Sequence, residues 1–137
     1  MKSAQRREQL QEALDSEAVV RTERTPKFAG AIHGFVVLVG SKWVLMRQIS
    51  DGGYFDGLVA FRLKQGSRIT TDTTIAPTFA KTRPEWPPTA PADIEISSTP
   101  QLLRSLAAQY RLIGVQQERK RSALWIGLLD EVSEGRA

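Results

Sequence analysis

Cysteine is absent from the 137 residues. That excludes disulfides, thiolate nucleophiles and cysteine metal ligands together, so the fold has to rest on buried apolar surface. Histidine is nearly absent as well: His33 stands alone, and one histidine without cysteine cannot build a typical structural zinc site. Long apolar runs are missing too. The longest, Phe35 to Val39, is far too short to cross a bilayer. The N-terminal Met1-Lys2-Ser3-Ala4-Gln5-Arg6-Arg7-Glu8 carries no apolar core of a signal peptide, and the expectation is a cytoplasmic protein with no membrane segment. No serine sits in a G-x-S-x-G elbow, and no D-x-D spacing gathers carboxylates for a metal. Neither Asp51-Gly52-Gly53 nor Gly40 opens a helix as a phosphate loop does. The expectation is therefore no enzyme, no metal and no cofactor.

The chain has the balance of a globular protein, 41% hydrophobic and 25% charged, rather than that of a disordered one. Its net charge of +4 is a mild excess. That permits contact with nucleic acid without arguing for it, because dedicated binders concentrate their charge on one face.

Helix-forming periodicity covers residues 3–16, where Leu10, Ala13 and Leu14 fall at i, i+3, i+4. A short strand follows at Ala18–Thr22, ending near Thr25-Pro26. Gly34–Val39 and Trp43–Ile49 are rich in β-branched and large apolar residues and flank Gly40-Ser41-Lys42, which predicts a hairpin. Asp51-Gly52-Gly53 and Asp56-Gly57 supply turn chemistry. Leu58–Leu63 is a further strand, with Val59, Phe61 and Leu63 on one face and Leu58, Ala60 and Arg62 on the other. Ser67–Thr71 is another. Ala76–Lys81 reads as a helical turn or two. The prolines of Arg83–Pro91 exclude regular helix or a central strand there and predict an extended connector, with Trp86 folded back onto the core. Ser98 or Thr99 caps a second helix with Pro100 at its first position, and strands follow at Leu112–Val115 and Ala123–Leu129.

The order helix, strand, charged turn, glycine-containing apolar strand occurs twice. It runs from Gln9 to Gly40 and again from Gln101 to Leu129. As a repeat, the second copy is incomplete and leaves a strand edge to be paired with the first unit or with another chain. Three segments result: a helix with a small β-barrel unit over 1–75, a Pro-rich connector over 76–97, and a helix with two strands over 98–137. The last either packs on the first unit or forms a truncated second one.

Gly34–Gly40 followed by Ser41-Lys42-Trp43-Val44-Leu45 is similar to the first Sm motif, and the layout of residues 5–71 resembles Sm-like and SH3-like small barrels. Segments such as Phe55–Leu63, Glu85-Trp86-Pro87-Pro88 and Trp125-Ile126-Gly127 look like a group of uncharacterised small bacterial proteins. RNA-binding Sm proteins place an Asp and an Asn at the turn that is Gly40-Ser41-Lys42 here, and Gln65-Gly66-Ser67-Arg68 echoes their second motif only loosely. The resemblance implies a fold that is α+β and mainly β: a small, strongly bent barrel with flanking helices.

Four residues are the candidates for partner contact. Trp86 sits among prolines, and Arg119, Lys120 and Arg121 fill one turn. Arg62, Lys64 and Arg68 add further positive charge near the strands. Trp43 and Trp125 lie in apolar strands and read as core. His33 reads as a partly exposed residue at a strand start, and Asp51 and Asp56 as turn formers. The function these features favour is a non-enzymatic interaction module that binds protein or itself through an open strand edge. The alternative is an Sm-like RNA-binding module.

Overall fold

A computed structural model describes residues 3–25, 30–50, 52–91, 93–110, 113–117 and 123–127. Helix α1 spans Ser3–Ser16. Five strands follow: β1 Val19–Arg24, β2 Ile32–Val39, β3 Trp43–Ile49, β4 Phe55–Arg62 and β5 Gly66–Thr71. A 3₁₀ turn, Leu63–Gln65, joins the last two. Helix α2, Ala76–Ala80, leads into the Pro-rich segment, and helix α3, Thr99–Gln109, leads to β6 Ile113–Gln117 and β7 Ala123–Gly127. The protein is thus α+β and mainly β, as expected.

The first five strands form one antiparallel sheet in the order β4-β3-β2-β1-β5. β4 and β5 are therefore its two edges, yet only the 3₁₀ turn separates them along the chain. Such a turn advances about 2 Å per residue, whereas a flat sheet sets its first and fifth strands roughly 19 Å apart. The sheet must curl strongly to bring its outermost strands together at this end. Ladder shifts between Val36 and Leu38, Arg47 and Ile49, and Glu23 and Arg24 supply the bends. Gly34 supplies another close approach, since a Cβ there would lie 1.9 Å from the Arg47 carbonyl oxygen.

Each face of the curled sheet is covered. On the inner face, Leu10 and Ala13 of α1 pack on Val20, Val36, Met46 and Phe61. The Arg6 guanidinium, one turn earlier on the same helix face, donates from Nε to the Leu63 carbonyl at 3.1 Å. Thr22 is fully buried, and its hydroxyl finds the Met46 sulfur at 3.8 Å. On the outer face, Val19, Phe35 and Ile49 meet Ala76 and Ala80 of α2 together with Phe55 and Trp86. Farther along, the Trp43 indole N–H donates to the Thr99 hydroxyl at 3.0 Å, and Ile96 is buried beside Gly40. Residues 76–91 and 93–102 thus run back across the sheet.

Several local expectations hold. Residues 3–16 are the helix, the two runs around Gly40-Ser41-Lys42 form the hairpin, and Phe61, Leu63 and Val59 face the inner core. Ser98 is the N-cap of α3, accepting from the Gln101 N–H. Two details differ. The first helical position is Thr99 rather than Pro100, because the Ser98 side chain caps one residue earlier. Asp56-Gly57 is no turn between strands. β4 already begins at Phe55, opposite Ile49, and Gly57 sits inside it at φ 78° where the ladder shifts. Glycine in the left-handed region makes a bulge that lets the strand continue. β6 and β7 pair with each other, and among the described residues they form no ladder with the five-stranded sheet.

Candidate interaction surface

The sequence-derived candidates separate. Trp86 folds back, half-buried, with its ring 5.3 Å from that of Phe35 and tilted by 53°. Phe35 in turn stacks on Phe55 at 5.8 Å. The Lys81 ammonium lies 5.5 Å from the Trp86 ring centre. Trp86 therefore fastens the Pro-rich segment to its own sheet, with part of the ring left at the surface. Arg119, Lys120 and Arg121 lie outside the described residues, as does Asp51. Trp43 and Arg62 meet as a cation–ring pair at 5.2 Å, on the face that α3 reaches.

His33, the second residue of β2, touches Asp72 through Nε2 and Oδ2 at 2.5 Å. The imidazole is 23% exposed and the carboxylate 6%. Asp72 directly follows β5: its N–H donates to the Val19 carbonyl and its Oδ1 accepts the Thr74 N–H at 2.7 Å. The Thr74 hydroxyl then accepts the Ala76 N–H at the start of α2. Burial pushes the Asp72 carboxyl up, but hydrogen bonds from Thr74 and the His33 imidazole outweigh it, and the net direction is below the ordinary carboxylate value. The pair clamps β2 to the turn that sets α2 in place. Among the described residues, no three His, Asp or Glu side chains gather to hold a metal ion, and no helix is long and apolar enough to cross a membrane.

The open features are edges and one patch. Among the described residues β4 pairs only with β3, and β5 only with β1. Along β5, Ser67, Arg68, Thr70 and Thr71 are exposed. Along β4 the run Leu58-Val59-Ala60 is half-buried, Phe61 is buried, and no charge or proline interrupts it. Sequence reasoning missed a patch at the start of β4, where Tyr54, Ile75 and Phe79 are exposed and the Arg83 guanidinium carbon lies 3.7 Å from the Tyr54 ring centre. No local pattern announces it, because Tyr54 and Arg83 meet only through the docking of α2. Asp72 did have a signal: Asp72-Thr73-Thr74-Ile75-Ala76-Pro77 is a chain of side-chain-capped turns running into a proline-started helix.

Comparisons with protein-family models, with curated proteins and with solved structures return no match, so these residues alone carry the functional reading.

Proposed function

We propose that this chain is a non-enzymatic interaction module, a small strongly bent barrel of Sm-like or SH3-like layout, which takes up protein strands at an open sheet edge. The observation that carries the reading is β4. It is an outermost strand with an apolar, uncharged stretch from Leu58 to Phe61 and no ladder partner on its outer side among the described residues. Proteins normally blunt such an edge with charge, proline or a bulge. Here the bulge at Gly57 protects only the first part of the strand. β5 is the weaker candidate, because its exposed Arg68 and its Ser and Thr side chains give an incoming apolar strand little to cover. The five strands in the order β4-β3-β2-β1-β5, with a 3₁₀ turn joining the two edges, favour the barrel layout. Covers on both faces direct association to the edges, where main-chain hydrogen bonds supply affinity and side-chain pockets supply selectivity.

Hydrogen exchange of the full chain over a concentration series, with light scattering for mass, tests the reading. The alternate β4 amides that point outward exchange fast in dilute solution. They slow as the chain self-associates or as a strand-forming peptide is added. A protein that stays monomeric, and whose β4 amides keep their dilute rates under both conditions, refutes it.

A further inference from the structure

Among the described residues, three of the four exposed large apolar side chains lie together: Tyr54 at 60% exposure, Ile75 at 62% and Phe79 at 42%. Ile75 and Phe79 stand one helical turn apart, joined by the Phe79 N–H donating to the Ile75 carbonyl, so both leave α2 on the same side. The turn Gly52-Gly53 joins Tyr54 to α2: a Cβ on Gly53 would come within 2.8 Å of the Phe79 Cβ, and one on Gly52 within 3.2 Å of the Tyr54 ring. Arg83 completes the cluster. Its Nη2 donates to the Gly52 carbonyl at 2.9 Å, its guanidinium covers one side of the Tyr54 ring, and its buried Nε has no partner. Among the described residues Nη1 makes no hydrogen bond either. From Ile75 to Trp86 the chain carries Lys81 and Arg83 against Glu85 alone.

An apolar platform with a fixed guanidinium at its rim suits a ligand that is apolar and anionic at once. Its position adds to this. Tyr54 immediately precedes Phe55, the first residue of β4. A strand paired with Leu58–Phe61 and continued past the Gly57 bulge therefore reaches the platform with its end. We propose that the platform binds the end of such a strand, taking an apolar side chain on Tyr54, Ile75 and Phe79 and a following carboxylate on Arg83. The occupant is an extended segment of a protein partner in which an aromatic or aliphatic residue precedes acidic ones. This rests on the strand-edge reading of β4 and adds the chemistry of the partner.

Fluorescence anisotropy with four synthetic peptides separates the two ideas. The first alternates threonine and valine and ends in phenylalanine and two aspartates. The second ends in lysines instead, the third lacks the last three residues, and the fourth is the first with N-methyl groups on alternate amides. The proposal expects the acidic peptide to bind and the lysine version to bind at least about tenfold more weakly. Phe79→Ser or Tyr54→Ser should cost roughly tenfold, the usual loss of one aromatic anchor. Both side chains are exposed, so these variants keep their fold, and circular dichroism checks this. Equal binding of the lysine and acidic peptides, or unchanged binding by both serine variants, overturns the proposal; if the third peptide then still binds, the edge reading survives without the platform. Undiminished binding of the N-methylated peptide overturns it from the other side, by removing the strand. No binding by any peptide refutes both.

Discussion

Replacing Gly34 by alanine isolates the bend of the sheet from every other contribution. The added Cβ would lie 1.9 Å from the Arg47 oxygen, 2.8 Å from the Arg47 carbonyl carbon and 2.9 Å from the Gln48 Cα. All three are backbone atoms of β3, so no side chain can swing away. Ordinary contact begins at 3.4 Å, which leaves the nearest pair 1.5 Å too close. β2 and β3 have to separate by about that much, beside the Val36–Met46 pair of the inner core. Overpacking of this kind costs about 1–3 kcal/mol, and two cross-strand hydrogen bonds stretched with it add about 0.5–1.5 kcal/mol each. The expected loss is roughly 3–5 kcal/mol, a large part of the ~5–15 kcal/mol that holds a domain together. Urea unfolding of Gly34→Ala and Gly57→Ala, followed by circular dichroism, is the assay. Gly57 is the informative control. It has φ 78° but nothing within 4 Å of its would-be Cβ, so alanine there costs only about 1–2 kcal/mol of left-handed strain. A Gly34→Ala protein within about 1 kcal/mol of the parent, or a larger loss at Gly57, would refute the close-approach argument.

Two further predictions concern the covers on the outer face. The folded-state carboxyl of Asp72 lies below its ordinary value, so it stabilises the fold at every pH above the unfolded value, about 3.9, and that contribution is lost as pH falls through the folded value. Melting temperatures taken from about pH 5 downward should therefore fall less steeply for Asp72→Asn than for the parent; equal slopes would remove Asp72 from the acid response. Trp43→Phe deletes the indole donor to Thr99. It should lower stability by about 0.5–1.5 kcal/mol and speed amide exchange in α3 more than in β1; unchanged α3 exchange would mean that this bond does not hold the helix down.

Strand periodicity, hairpin register and the inner face were readable because they depend on neighbours within about eight residues. Val59, Phe61 and Leu63 alternate with Leu58, Ala60 and Arg62 whatever else the chain does, and Leu10, Ala13 and Leu14 mark one side of a helix. Trp86 was legible as a residue turned back on its own domain, because the surrounding prolines deny it helix or central strand. Asp56-Gly57 misled because the same pair that closes a turn also makes a bulge, and only the ladder with β3 decides between them. The platform was invisible for another reason. Tyr54, Ile75, Phe79 and Arg83 follow no common period, and they come together only once α2 settles on Val19, Phe35 and Ile49.

The chain's order of synthesis gives the outer face one more consequence. All five strands of the sheet have been made by Thr71, and α1 has come before them. Trp86, which closes over Phe35, and Thr99, which takes the Trp43 indole N–H, come later. A ribosome adding about 5–20 residues per second needs roughly one to three seconds to go from Thr71 to Trp86. Until α2 and Trp86 are made, the nascent sheet carries Phe35, Ile49 and Phe55 uncovered beside the open outer edge of β4. The newborn chain is therefore stickier than the finished one, and a chaperone that shields apolar surface has most to offer it just after Thr71 emerges.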